Sequence, residues 1–167
     1  MNKRIIIITI ISLIIDQSTK ILASLLLTLN DQTQIIKNFF YLTLCHNTGM
    51  AWSILDNKRF LIIIFSIIAL IFIYRFMKTF KNNLRNNIAF GLLLGGLFGN
   101  LIDRLFFGYV TDFLDFYLFG YDYPIFNMAD IFIVVSIILL IISILKGDDE
   151  SESNSTKRRK TRQVPSE

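Results

Sequence analysis

Four apolar blocks, each about the length needed to cross a bilayer, constrain this chain more than any other feature. A helix needs about 20 residues to span the hydrocarbon core. The first block runs from Ile5 to about Leu29, interrupted by Asp16-Gln17-Ser18-Thr19-Lys20 and Ser24. The second runs from about Phe60 to Met77 and holds no acid. The third, from about Ile88 to Phe107, is apolar until Asn100, Asp103 and Arg104. The fourth, from about Ile125 to Leu145, has Asn127 and Asp130 near its start. The expected architecture is an all-α membrane protein of four transmembrane helices. Composition agrees: 53% of the 167 residues are hydrophobic and 18% are charged, against about 25% charged in a soluble domain. The first block is too long for a signal peptide, and no small-residue cleavage site follows a short apolar core. It is expected to be a retained helix.

Charge placement sets the expected orientation. Lys3 and Arg4 precede the first block, and Arg75, Lys78, Lys81 and Arg85 separate the second from the third. Lys146, Lys157, Arg158, Arg159, Lys160 and Arg162 follow the fourth. That places 12 of the 17 basic residues on one side. Lys37, Lys58 and Arg59 fall in the opposite loops, while Lys20 and Arg104 lie inside helices. Both termini are therefore expected in the cytoplasm, with loops 30–59 and 108–124 outside. The net charge of +4 reflects this topology and gives no reason to expect nucleic acid as a partner.

Between the blocks, Gln34–Cys45 is rich in Ile, Phe and Tyr but too short to span. It reads as one or two strands or an interfacial element in the first outer loop. The turn signal Asn47-Thr48-Gly49 ends it. Residues 1–146 form the membrane domain. Residues 147–167 are polar and charged and are expected to be a disordered cytoplasmic tail. Its Lys157–Lys160 run is either solvated or in touch with anionic lipid. No internal repeat is visible. Cys45 stands alone, which excludes an internal disulfide. His46 is the only histidine, so neither a cysteine- nor a histidine-rich metal site can form. No metal or cofactor is expected.

The chemistry sits in the polar residues of the apolar blocks. Burying a charge in a membrane helix costs about 2.5–3.5 kcal/mol on insertion scales, which makes such groups functional candidates. Asp16 and Lys20 share a helix face at i, i+4 and can pair; a structural pair and a chemical role are both open. Gly95, Gly96 and Gly99 allow close helix approach. Asn100, Asp103 and Arg104 follow at i, i+3, i+4, with Asp103 beside Arg104 read as a buried pair rather than a titrating catalyst. Val110-Thr111-Asp112-Phe113-Leu114-Asp115-Phe116 reads either as an outer loop dipping into the headgroups or as the carrier of a catalytic Asp112. Asn127 and Asp130 share a face at the start of the fourth helix, with Asp130 expected about 8 Å below its outer end. There a helix-start acid favoured by the dipole is the plainer reading.

Topology makes these clusters converge, because the third helix ends and the fourth begins at the outer surface. Asp103, Asp112 and Asp130 thus reach similar depth. Two carboxylates meeting in a poorly solvated site cannot both ionise easily, so one keeps a proton while the other serves as base. Such a pair can deprotonate an attacking water and protonate a leaving nitrogen. Cys45 and His46 are neighbours in a loop, and Ser18 and Lys20, at i, i+2, point apart on a helix.

At this point the chain resembles the lipoprotein signal peptidases (signal peptidase II) of bacteria. The resemblance rests on Asp16–Lys20, Asn47–Ser53, Gly95-Gly96 through Gly99–Arg104, Val110–Phe113 and Phe126–Asp130, in that order over residues 5 to 145. It implies a membrane aspartyl endopeptidase of the cytoplasmic membrane, with a small β-like cradle in the first outer loop, acting near the outer face without metal or cofactor. Its substrate would be a diacylglyceryl-modified prolipoprotein, cut before the lipidated cysteine. The dyad it implies is Asp112 and Asp130. Asp16, Lys20, Asn47, Gly49, Asn100, Asp103, Arg104 and Asn127 match supporting or substrate-contacting positions. Trp52 stands where Phe is more usual and Thr111 where a second Val is common; the charged tail lies outside the pattern. Membrane lipids are the other expected partners, and the chain is expected to act as a monomer. Two other classes compete: a small proton-coupled transporter or channel, and a non-catalytic assembly factor whose polar clusters glue helices together. Against a transporter stand the lack of a repeat and the clustering of polar groups toward one face rather than the midplane.

Overall fold

The computed structural model describes residues 2–49 and 58–149. Its four long helices are α1 (Lys3–Leu26), α2 (Arg59–Phe76), α3 (Leu84–Phe106) and α4 (Met128–Leu145). All four are long and apolar enough to cross a membrane. A 3₁₀ turn, Met77–Thr79, follows α2. Four strands lie between the helices: β1 (Gln32–Ile36), β2 (Phe40–Asn47), β3 (Val110–Leu118) and β4 (Tyr121–Asp122).

These strands form one antiparallel sheet in the order β1-β2-β3-β4. The fold is therefore mostly helical, not purely all-α, and this corrects the sequence reading. The connection between α1 and α2 supplies β1 and β2, in line with the strand reading of its Ile/Phe/Tyr pattern. The connection between α3 and α4, read as an outer loop at the interface, supplies the longest of the four strands. Strand β3 alternates poorly because it is enclosed on both faces over Val110–Phe113. Its pairing with β2 sets Cys45 opposite Asp112 and Asn47 opposite Val110, with a bulge between Leu42 and Cys45. Phe40, Phe116 and Phe126 stack in a row along the sheet, with ring centroids 4.5 and 5.6 Å apart.

Helix α3 is the axis of the bundle and buries thirteen of its residues, whereas α2 buries only Ile62. Glycines make the axis possible. A Cβ on Gly95 would fall on Ser12 Oγ and one on Gly99 on Asp16 Oδ2, so α1 and α3 touch through a stripe with no side chain on one side. This is small-residue packing, the mode open to helices in lipid where water supplies no drive for association. Gly96 faces the other way, against Ala129 and Ile133 of α4.

Asparagines start three of the helices. Asn2 accepts from Arg4 N, Asn83 from Asn86 N and Asn127 from Asp130 N, each satisfying a donor the helix cannot. Gly108, at φ +88°, ends α3 and turns the chain back into β3. That reversal is the left-handed stop usual after a helix C-terminus. Two apolar clusters result. One, around Phe80, Phe90, Leu93, Leu94 and Leu140, fills the end of the bundle that carries the start of α1 and the end of α4. The other, Ala23, Leu44 and Phe113, lies between α1 and the sheet. Of the segment read as tail, residues 147–149 pack back on the α2–α3 connection. Lys81 N donates to Asp148 O at 2.9 Å and Asn83 Nδ2 to Asp148 Oδ2 at 2.9 Å. The rest of the tail, including Lys157–Lys160, lies outside the described residues.

Candidate active site

A polar layer separates the two apolar clusters, and all the predicted site residues belong to it. It begins with Lys20 of α1, which is 3% exposed. Its ammonium meets Asp16 Oδ2 at 2.9 Å, Asp103 Oδ2 at 3.1 Å and Asn100 Oδ1 at 2.9 Å. Three acceptors match the three donors of a lysine. Asp16, fully buried, also accepts Ala129 N in the first turn of α4 at 2.9 Å. A negative charge at that end of a helix is favoured by the dipole. Asp103 accepts Gln17 Nε2 at 3.0 Å and Thr111 N at 3.1 Å. This knot ties α1, α3, α4 and β3 together. The i, i+4 pair expected from sequence is present. The cation of Asp103 is Lys20, not its neighbour Arg104.

One residue beyond Thr111 stands Asp112, 3% exposed. Its Oδ2 accepts Asn47 Nδ2 at 2.9 Å and its Oδ1 accepts Asn127 Nδ2 at 2.5 Å. Asp130 forms a capping box with Asn127: Asn127 N donates to Asp130 Oδ2 at 3.1 Å, and Asp130 N to Asn127 Oδ1 at 3.2 Å. The other oxygen of Asp130 accepts Asn100 Nδ2 at 2.9 Å. Asn127, with no exposed surface, is thus the hub: one amide touches Asp112, the Asp130 backbone and Asn100 Oδ1. Asp130 is both the helix-start acid of the plainer reading and a neighbour of Asp112. Because α4 begins at Met128, it lies in the first turn, about 4.5 Å from the cap, shallower than the 8 Å expected.

Burial pushes the Asp112 carboxyl up to about 7, and the negative charge of Asp130 adds to the rise against the two asparagine hydrogen bonds. Burial also raises the Cys45 thiol, helped by Asp112, so that thiol stays protonated and is a poor nucleophile.

Asp112 and Asp130 share the wall of a cavity of about 780 Å³, within the range of a substrate site. Asn47, Gly49, Asn100 and Arg104 line it as well. Its lining is otherwise largely apolar, with Ile125, Ile131, Val134 and Val135 among the contributors. Arg104 donates to Gly49 O at 2.7 Å and to Asn100 O at 3.3 Å, and its Nε has no partner among the described residues. Asp16, Lys20 and Asp103 are not in this wall; they stand behind it. The structure therefore divides the predicted residues into a cavity-facing set and a supporting knot, with Asn127 and Asn100 joining them. Residues 50–53 of the Asn47–Ser53 motif, Trp52 among them, lie outside the described residues. No cluster of metal-binding side chains occurs among the described residues.

Sequence reasoning missed two contributors. Gln17 lies inside the Asp16–Lys20 motif, and its position beside two paired charges is a usable signal. Arg59, read only as a loop cation, donates to the carbonyls of Arg104 and Leu105 at 2.7 Å each and so closes the end of α3. Nothing in its sequence neighbourhood announces that role.

Comparison with known proteins identifies the family. Residues 8–146 match the family described as signal peptidase (SPase) II. Lipoprotein signal peptidases of Staphylococcus aureus strains JH9 and Newman are each 39% identical over 153 residues, covering 91% of this chain and 94% of theirs. Two solved structures, described as a bacterial membrane enzyme in meso at 2.3 Å and at 1.9 Å resolution, superpose with TM-scores of 0.76 and 0.75 at 39% identity. The first covers 85% of this chain and 87% of its own, the second 85% and 92%. By sequence over nearly its whole described length, and by fold, this chain belongs to the signal peptidase II family.

Proposed function

We propose that this protein is a membrane aspartyl endopeptidase that removes signal peptides from diacylglyceryl-modified prolipoproteins. It cuts the peptide bond before the lipidated cysteine. The observation that carries the proposal is the linkage of Asp112 and Asp130 through Asn127 beside one largely apolar cavity. Family membership narrows the substrate to lipoprotein precursors.

The roles follow from the charges. Four aspartates meet two cations, Lys20 and Arg104, in this layer. Lys20 is committed to Asp16 and Asp103. Asp112 and Asp130 are left with less compensation than two ionised carboxylates need, so the pair shares one proton. Asp112, raised to about 7, is the member that holds it; Asp130, in the first turn of a helix, is the base. Water held between them gives a proton to Asp130 as its oxygen attacks the scissile carbonyl carbon, while Asp112 supports the carbonyl oxygen. Collapse of the tetrahedral intermediate breaks the C–N bond. The cysteine nitrogen takes up the proton and leaves as an amine, and the signal peptide keeps the new carboxylate. Arg104, with Nε unpaired in the wall, supplies a donor to a substrate carbonyl. Ile131, Val134 and Val135 receive acyl chain or signal helix. The distribution of Lys and Arg supports a cytoplasmic location for both termini and an outer position for the dyad. Since one chain supplies every residue named, a monomer suffices.

The test is cleavage in vitro of a lipidated precursor and its unlipidated counterpart. Wild type should cut only the first, and Asp112→Asn and Asp130→Asn should cut neither. Full cleavage by either variant removes that residue from the dyad.

A further inference from the structure

A second cavity, of about 230 Å³, opens at the opposite end of the bundle, where α1 begins, α2 passes into its 3₁₀ turn and α3 begins. Its polar lining includes Asn2, Lys78, Lys81, Asn86 and Asn87, over a floor of Ile5, Phe80 and Phe90. It shares no residue with the dyad cavity. Among the described residues this end carries Lys3, Arg4, Arg75, Lys78, Lys81, Arg85 and Lys146, against Asp148 and Asp149.

We propose that this cavity binds the headgroup of an anionic glycerophospholipid, one that offers a hydroxyl donor beside its phosphate. Three observations converge. First, the cations are unequally committed. Lys81 Nζ is already held by Gly147 O at 2.5 Å and lies 3.9 Å from Asp148, and Arg85 pairs with Asp148 at 3.3 Å. Lys78 lies over the Tyr74 ring, 4.7 Å from its centroid, so its ammonium keeps donors for a phosphate. Second, Asn86 is 2% exposed and its Nδ2 donates to Lys81 O, while its Oδ1 has no partner among the described residues. A buried acceptor of this kind carries a desolvation cost unless a donor arrives; a headgroup hydroxyl is such a donor. Third, the surface leads into lipid. Ile67, Ile71 and Tyr74 are exposed at helical spacing on α2, and Lys78 continues that stripe. Acyl chains can follow the stripe into the bilayer while the headgroup turns in beneath Lys78. The cavity is too small for more than a headgroup, and basic pockets between helices at this membrane surface suit anionic lipid.

The inference does not depend on the peptidase chemistry. Its test is native mass spectrometry of the full-length protein in detergent, titrated with dioleoyl phosphatidylglycerol, dioleoyl phosphatidylcholine or sn-glycerol 3-phosphate. The expected result is one tightly held phosphatidylglycerol, retained about tenfold better than phosphatidylcholine, which has neither net charge nor headgroup hydroxyl. Lys78→Gln, at an exposed position, should weaken phosphatidylglycerol retention about fivefold and leave phosphatidylcholine unchanged. Asn86→Leu should weaken it to a similar degree; Lys78→Gln decides the matter if that buried change impairs folding. Equal retention of the two lipids, or no response to Lys78→Gln, overturns the proposal. Binding of glycerol phosphate as tight as that of the lipid makes this a site for soluble anions and overturns it as well.

Discussion

Two pairs of aspartates lie side by side in this protein and meet opposite fates. Asp16 and Asp103 close on Lys20, which touches both within 3.1 Å. Asp112 and Asp130 have no lysine between them. They have an asparagine, which can orient charge but cannot neutralise it, and they face a cavity. The same residue type, at similar depth, is thus scaffold where one cation bridges the pair and candidate reagent where no cation does and Arg104 stands only nearby. Perturbed carboxyls in a cleft are the usual mark of a working site. The neighbouring satisfied knot shows that intramembrane charge alone is not.

The largest expected effect breaks the pair that no salt bridge spans. Asp112→Asn or Asp130→Asn should lower cleavage of lipidated precursor by about 10⁴-fold while the protein stays folded, because each removes one proton-transfer partner. Activity of either variant within tenfold of wild type would make the two pairs equivalent and dissolve the contrast. Next comes the closed knot. Lys20→Met leaves two buried carboxylates unpaired and should cost about 3–5 kcal/mol of stability, read as a lowered unfolding midpoint in detergent. A Lys20→Met protein that is inactive yet as stable as wild type would move Lys20 from scaffold to chemistry.

Asn127 joins the two regions, and its removal should have an intermediate effect. Asn127→Ala deletes the bond to Asp112 and the cap of α4 together. A loss of about 100-fold in kcat with little change in KM is expected, since misplaced groups slow the step without loosening substrate. A change confined to KM would make Asn127 a binding residue.

Much of this contrast is legible in the chain itself. Four spans follow from apolar length alone, because bilayer thickness leaves little freedom. The Asp16–Lys20 pair follows from helical spacing, and the glycines at 95 and 99 from the need for backbones to touch. What was not legible depends on long-range pairing. That Val110–Leu118 is a strand and not a loop is set by β2, more than sixty residues earlier, whose bonds fix the register across the sheet. That Asp103 chooses Lys20 over Arg104 is set by the tight α1–α3 approach, which no local pattern encodes. The place of Asp130 was misjudged because an apolar run from Ile125 looks helical, although Asn127 is the better start signal.

The smallest effect tests the contrast most finely, because it titrates one group. In the folded protein Asp112 binds its proton up to about 7, whereas an unfolded aspartate releases it near 3.8. Between those values the native state holds more protons than the unfolded one, so this residue's contribution to stability is present in acid and lost as pH rises. Wild type should lose about 1 kcal/mol between about pH 6 and 7 from this source, and Asp112→Asn should lose less. Cleavage should follow the same group, failing as pH climbs past about 7, when the pair surrenders its shared proton and two negative charges face one cavity. If Asp112→Asn and wild type trace the same stability curve from pH 5 to 8, the uncompensated pair is compensated after all, and the difference between the two regions has some other cause than charge.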